Sequence, residues 1–311
     1  MPTVLISTSS FGRHGGRALD RLEAAGWQVR TNPHGRRLER AETAALLAGA
    51  DALIAGTERL DREILAGASR LRVISRCGGG LDNVDLEAAR ELGIVVASAP
   101  GPPARAVAEL ALAGILHLLR EVGAADRNLR SGRWRKRMGR LLHRKTVGLV
   151  GFGRVGRRLA ELLAPFEVEL LVADPEPDRA AAERLGARYV ELDELLARAD
   201  VVSLHLPLTA RTRHLIGASE LASMRPGSVL VNTARGGLVD EEALAERLRD
   251  GALAGAYLDV FEREPYEGPL TGLSNVLLTP HVGSYAAESR ERMEVEAVEN
   301  LLLSFPRDET G

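Results

Sequence analysis

The stretch KTVGLVGFGRVG, Lys145–Gly156, decides how this chain is read. Its apolar run Val147–Val150 stops at Gly151-Phe152-Gly153-Arg154-Val155-Gly156, and the RRLAELLAPF that follows has the apolar spacing of a helix. Strand, glycine turn and helix in that order suit a bound dinucleotide. Gly151 permits a turn closed to residues with a Cβ, Gly153 lets a diphosphate approach the main chain, and Gly156 lets the helix pack on the strand. The unpaired N–H groups of the helix start, at Arg154 and Val155, then face phosphate charge. A second apolar run, Val168–Ala173, ends on Asp174, where such a fold needs an acid to accept hydrogen bonds from ribose hydroxyls. A carboxylate there repels a 2′-phosphate, so the expected cofactor is NAD rather than NADP. Arg179, nearby, is read as a solvated helix residue.

Outward from this unit, apolar runs alternate with helical ones in both directions. Before it come Val4–Ile6 with RALDRLEAAG, Trp27–Val29 with AETAALLAGA, Ala52–Ala55 with REILAGA, Leu71–Ile74 with LEAAREL, and Ile94–Val96. After it come LDELLARA, then Asp200–Pro207, Ser228–Asn232, Gly255–Val260 and Asn275–Leu278, each but the last expected to lead through a short turn to a helix. Such alternation means parallel sheets covered on both faces. The fold class is therefore α/β with two doubly wound parallel-sheet domains, the dinucleotide-binding one inserted into the first or appended after it. Breakers at Ala99-Pro100-Gly101-Pro102-Pro103 mark the crossing, and a long helix is expected from about Ala104 to Leu119. Residues 1 to about 99 are thus expected to form a complete α/β domain ahead of the fingerprint.

Bulk properties exclude several classes. A chain of 311 residues is comfortable for two domains. Its net charge of −2 gives no global attraction to nucleic acid or an anionic membrane. The N-terminus lacks a basic start followed by a long apolar run, so neither export nor membrane insertion is expected. Cys77 is the only cysteine, which rules out an intrachain disulfide and points to the cytoplasm. It is read as a small packing residue, not a nucleophile. The basic run Arg130–Met138 around Trp134 reads as a solvated arm or an anion site, and no metal site is read anywhere.

Ligands of doubly wound sheets sit at the strands' carboxyl ends, which directs attention to Thr233-Ala234-Arg235-Gly236, Asp259, Glu264 and His281. A guanidinium on the turn at Arg235 suits bidentate binding of a carboxylate. His281, after Thr279-Pro280, can trade a proton with a bound substrate, and Glu264 can hold that imidazole in one orientation. His14, His34, His117, His143, His205 and His214 are read as structural groups rather than catalysts. Three convergent groups beside a nicotinamide imply hydride transfer.

The stretches SRCGGGLDNVDLEAARELGI, RAVAELALAGIL, KTVGLVGFGRVG, VVSLHLPLTARTRHLI, MRPGSVLVNTARGGLVDEEAL, GAYLDVFEREP and LTPHVGS occur in this order. Through them the sequence resembles the D-isomer-specific 2-hydroxyacid dehydrogenase family over nearly its whole length, with its phosphoglycerate dehydrogenase branch the most similar. The resemblance implies that Arg235 binds the substrate's carboxylate and carbonyl, that His281 is the general acid/base, and that Glu264 is its partner. It implies that Asp259 contacts the nicotinamide carboxamide, and that His205, Pro207, Thr212, Thr233, Ala234, His281 and Gly283 join the glycine loop in holding the cofactor. Backbone amides of Gly78, Gly79 and Gly80 would hold the substrate carboxylate.

Arg76 stands where that branch resembles a substrate-phosphate contact, and Trp134–Arg137 looks like an arm reaching across a homodimer. Gly56, the PGPPARAVAEL stretch and Gly79 depart from the branch's pattern. The resemblance implies a Rossmann NAD-binding domain inserted into a flavodoxin-like substrate domain, with the last helix, roughly Glu288–Leu303, crossing back, so that the division is 1–99 with 286–311 returning to it, and 100–285; a regulatory C-terminal domain is not expected after that helix. The alternatives are a glyoxylate or hydroxypyruvate reductase, or a non-enzymatic NAD sensor resembling corepressors of this family. All three take a small molecule rather than nucleic acid or a membrane as the primary ligand.

Overall fold

The computed structural model describes residues 1–306, so the last part of the expected return segment lies outside the described residues. The chain divides into two compact units, Met1–Pro103 with the chain from Ser284 onward, and Ala104–Gly283.

The first unit contains β1 (Thr3–Ile6), α1 (Arg17–Ala24), β2 (Gln28–Thr31), α2 (Arg40–Leu47), β3 (Ala52–Ala55), α3 (Arg62–Gly67), β4 (Val73–Arg76), α4 (Leu86–Glu91) and β5 (Val95–Ser98). Its five strands are all parallel, in the order β2-β1-β3-β4-β5. Alternation along each strand feeds two cores. Leu5, Leu53 and Ile74 pack with residues of α2, α3 and α4 on one face. Val4, Ile6, Ala52 and Ile54 pack on the other with Ala18, Leu22 and Trp27, and with Met293, Ala297, Val298 and Leu301 of α12 (Ala287–Ser304). The returning helix thus completes a core that the first hundred residues leave open.

The second unit opens with α5 (Pro103–Leu119) and α6 (Val122–Arg130). It continues with β6 (Thr146–Val150), α7 (Arg154–Leu163), β7 (Glu169–Ala173), α8 (Arg179–Leu185), β8 (Ala187–Tyr189), α9 (Leu192–Arg198) and β9 (Val201–Leu204). Last come α10 (Ala218–Ser223), β10 (Val229–Asn232), α11 (Glu241–Arg249), β11 (Gly255–Leu258) and β12 (Val276–Leu278). Seven parallel strands run β12-β11-β10-β9-β6-β7-β8, so the order reverses between β6 and β9. Two groups of buried side chains cover the two faces of this sheet.

Two expectations about connections need correction. Residues 205–217 separate β9 from α10 without regular structure. No α-helix joins β11 to β12, because Pro265, Gly268, Pro269 and Gly272 break the segment and leave only a 3₁₀ turn at Pro269–Gly272. Those irregular segments carry His205, His214, Glu262 and Glu264, so the places where helix formation fails are the places that supply polar side chains. The unanticipated α6 has no fully buried residue and gives no apolar stripe to read. Among the described residues, no helix is long and apolar enough to cross a membrane.

Candidate active site

The glycine loop follows β6. Gly151 has φ +97°, and a Cβ there would lie 2.5 Å from the carbonyl oxygen of His205. At Gly156 a Cβ would stand 2.4 Å from the Gly151 carbonyl oxygen, so helix and turn touch main chain to main chain. Gly153 is different: a Cβ there would meet nothing within 4 Å. It is also the N-cap of α7 and offers no side-chain acceptor, so the helix start keeps its orphan N–H groups. Asp174, just past β7, accepts hydrogen bonds from the amides of Phe152, at 2.7 Å, and Glu176, at 2.9 Å. The acid is thereby tied to the glycine loop with lone pairs remaining for ribose hydroxyls.

Across the reversal point, His205 Nε2 lies 2.9 Å from Ser203 Oγ, while its buried Nδ1 has no partner. Burial pushes this imidazole down to about 4, which keeps it neutral at physiological pH. The Thr233 hydroxyl at the end of β10 is likewise buried without a partner. Thr212 Oγ1 donates to the Pro207 carbonyl and accepts from the Thr209 amide, both at 2.7 Å, folding the loop after β9. An open cradle at Gly153, an uncapped helix start and two orphaned buried polar atoms are features that a dinucleotide's diphosphate and hydroxyls complete. The residues present fit NAD.

Arg235 follows β10 on a loop folded by Asn232, whose Oδ1 accepts from the Ala234 amide at 3.1 Å and whose Nδ2 donates to the Arg235 carbonyl at 2.8 Å. Arg235 Nη1 donates to the Ala234 carbonyl at 2.7 Å. The next residue is glycine for a steric reason. A Cβ on Gly236 would fall 1.8 Å from the Phe261 carbonyl carbon, so the Arg235 loop rests directly on the Phe261–Glu262 peptide. Glu264, in that neighbouring loop, accepts from the Phe261 amide at 3.2 Å and faces His281, with Nδ1 2.9 Å from Oε2 and 3.1 Å from Oε1. The structure therefore joins His281 with Glu264, and packs the Arg235 loop against the segment that carries this acid.

His281 itself has φ +55°, an unusual conformation for a residue with a side chain. Asp259, buried at the end of β11, holds it there. Its carbonyl accepts the His281 amide at 2.8 Å, and its carboxylate accepts from the Thr279 hydroxyl and from the amides of Val282 and Gly283, at 2.8 and 2.7 Å. Burial pushes the Asp259 carboxyl up, while these hydrogen bonds pull it down. Positioning the histidine loop is thus a task of Asp259 that its place in the sequence did not announce. Thr279, Asn232 and Gly236 were missed as supports for the same reason: each acts through loop geometry rather than through reactive chemistry.

In the first unit, Arg76 ends β4 and its Nη1 donates to the Cys77 carbonyl. Gly78 has φ +144°, and its amide donates to the Arg76 carbonyl at 2.9 Å. That amide is thus engaged within its own turn. Gly79 and Gly80 have no backbone acceptor among the described residues, and Gly79 sits against Pro100, where a Cβ would lie 3.1 Å from the Pro100 Cα. Cys77 is buried, and burial pushes its thiol up to about 11, as suits a packing residue.

Residues 112–283 match the family model "D-isomer specific 2-hydroxyacid dehydrogenase, NAD binding domain". The glyoxylate reductase of Thermococcus litoralis is 41% identical over 263 residues, covering 81% of this chain and 79% of that protein. The chain belongs to the D-isomer-specific 2-hydroxyacid dehydrogenase family. A D-3-phosphoglycerate dehydrogenase of Mycobacterium tuberculosis is 42% identical over 86% of the chain, which spans about half (51%) of that longer protein. Among solved structures, the TT0316 protein of Thermus thermophilus superimposes with a TM-score of 0.89 at 41% identity, over 98% of this chain and 96% of that one. The dehydrogenase is an NAD-dependent enzyme with two parallel-sheet α/β units.

Proposed function

We propose that this dehydrogenase interconverts a D-2-hydroxy acid and its 2-keto acid through His281, Glu264 and Arg235. The observation that carries the reading is the His281–Glu264 pair, in which both carboxylate oxygens face Nδ1. With Nδ1–H held by the acid, Nε2 is the nitrogen left to exchange a proton. Bound by the residues named below, NAD would supply the hydride acceptor for C2 of the hydroxy acid, and its reduced form the hydride donor for the keto acid. His281 Nε2 accepts the hydroxyl proton in oxidation and donates it to the carbonyl oxygen in reduction. Arg235 binds the carboxylate and stabilises charge growing on that oxygen. The amides of Gly79 and Gly80 assist with the carboxylate. The glycine loop from Gly151 to Gly156, together with Asp174, His205, Pro207, Thr212, Thr233, Ala234 and Gly283, holds the cofactor. The remaining lone pair of Asp259 accepts from the carboxamide.

For the substrate, Arg76 at the end of β4 supports a phosphorylated three-carbon acid such as 3-phosphoglycerate. Glu58 favours a second reading, glyoxylate or hydroxypyruvate. Its buried carboxylate follows β3, the strand beside β4, and disfavours a nearby phosphate. A screen of 3-phosphoglycerate, glycerate, lactate and their keto partners, read at the nicotinamide absorbance, tests both; no turnover with any of them overturns the proposal. Exposed Val122, Leu129, Trp134, Met138 and Leu141 support a homodimer made through α6 and the basic arm. The lone buried cysteine fits a cytoplasmic setting.

A further inference from the structure

A second histidine–glutamate pair involves the residue two positions upstream of Glu264. His214 has φ +49°, a left-handed conformation of the kind His281 adopts. Its Nε2 meets Glu262 Oε1, and Arg213 Nη2 lies 3.7 Å from the other oxygen of the same carboxylate. The pair links three strand-end loops. Behind His214, its amide donates to the Gly237 carbonyl at 2.8 Å, and Ile216 forms a parallel bridge with Val239, so the loop after β9 runs along the segment leaving Arg235. Behind Glu262, its amide donates to Glu241 Oε1 at 2.7 Å in the first turn of α11. Its peptide with Phe261 is the one on which Gly236 rests, and the Phe261 amide is held by Glu264.

We propose that His214 and Glu262 form a positioning clasp that keeps the Arg235 loop and the Glu264 loop in catalytic register. The proposal rests on the roles given above to Arg235, Glu264 and His281. Its physical content is a contrast of scales. An exposed ion pair contributes little to folding. Displacing reacting groups by about 1 Å, however, costs up to about 100-fold in rate. A residue that merely stabilises the fold would move the melting temperature and leave the kcat of the folded enzyme unchanged. This clasp moves activity alone.

The test uses the full chain with NAD and a substrate identified by the screen. His214→Ala is expected to lower kcat about tenfold and raise the substrate KM, with the NAD dissociation constant and the melting temperature nearly unchanged. His214→Gln, which keeps a donor toward Glu262, restores most of the rate. Glu262→Ala reproduces the loss, and the double variant His214→Ala/Glu262→Ala is no worse than either single change. Arg198→Ala, which breaks a surface pair with Glu194 in the same unit, leaves kcat unchanged. Wild-type turnover with unaltered kcat and KM in His214→Ala overturns the clasp alone. Absence of wild-type turnover overturns the catalytic roles and the clasp with them. Loss of the folding transition in all His214 and Glu262 variants shows a structural role and overturns it as well.

Discussion

The two sheets of this enzyme obey one topological rule and use it differently. Each is a doubly wound parallel sheet with a point where strand order reverses, and there the connections diverge to leave a crevice. In the five-stranded sheet that point lies between β1 and β3, where a buried carboxylate takes up main-chain and hydroxyl donors, although the buried Thr8 Oγ1 has no partner. Glu58 Oε1 accepts from the Ser7 hydroxyl and from the Gly56 amide, and Ser7 Oγ also accepts from that amide. In the seven-stranded sheet it lies between β6 and β9. There Gly153 faces open space, α7 starts without a cap, and His205 Nδ1 has no partner. The contrast lies in the glycine loop and the uncapped helix start, which leave main-chain donors open beside β6, whereas a carboxylate occupies the corresponding donor beside β3.

The largest expected effect falls at the chemistry that the open crevice serves. His281→Ala is expected to lower kcat by about 10²–10⁴-fold while NAD binding, measured by fluorescence titration, persists. A rate within about twofold of wild type removes His281 from the mechanism. Next is Gly153→Ala. Its φ of −74° is accessible to alanine and the new Cβ meets no protein atom, so melting should be unaffected. Because the methyl enters the space a diphosphate needs, NAD should bind about 10- to 100-fold more weakly. Unchanged affinity would mean that the open space is not where the cofactor lies.

The crevice beside β3 predicts the opposite pattern. Glu58→Ala strands the Ser7 hydroxyl and the Gly56 amide, which costs about 2 kcal/mol of stability in chemical denaturation, with no change in NAD affinity. A loss of NAD binding equal to that of Gly153→Ala would erase the distinction between the two sheets. The smallest effect concerns His205. Its imidazole is held near 4 in the folded chain against an ordinary value near 6.5, so the folded state binds fewer protons than the unfolded state between these values. Stability from this group is complete above about pH 6.5 and is lost as pH falls toward 4, by roughly 1–2 kcal/mol, a discounted figure because the residue as a whole is only half-buried around its buried ring nitrogen. His205→Gln should flatten that part of the stability profile in the cofactor-free protein.

How much was legible in advance followed from the range of the interactions. Gly151, Gly153, Gly156 and Asp174 declare themselves because turn, helix start and acid act within about thirty residues, on a strand and helix whose periodicity is local. Arg235, Glu264 and His281 were readable as polar side chains just past strand ends, and the His281–Glu264 contact is what the structure adds. The loop between β11 and β12 was misread, since apolar spacing on either side does not reveal that two prolines and two glycines prevent a helix from forming between them.

By itself the sequence determined most of the alternation of strand and helix, the dinucleotide fingerprint and which polar side chains stand at the strand ends, because these depend on residue type and short spacing. Only the tertiary structure decided what each polar group does. It closed the amide of Gly78 onto Arg76, turned Asp259 into the anchor of the His281 loop, and set Gly236 on the Phe261–Glu262 peptide. Those outcomes depend on which backbone groups meet across distant loops, and hydrogen bonds between such loops leave no period in the chain that makes them.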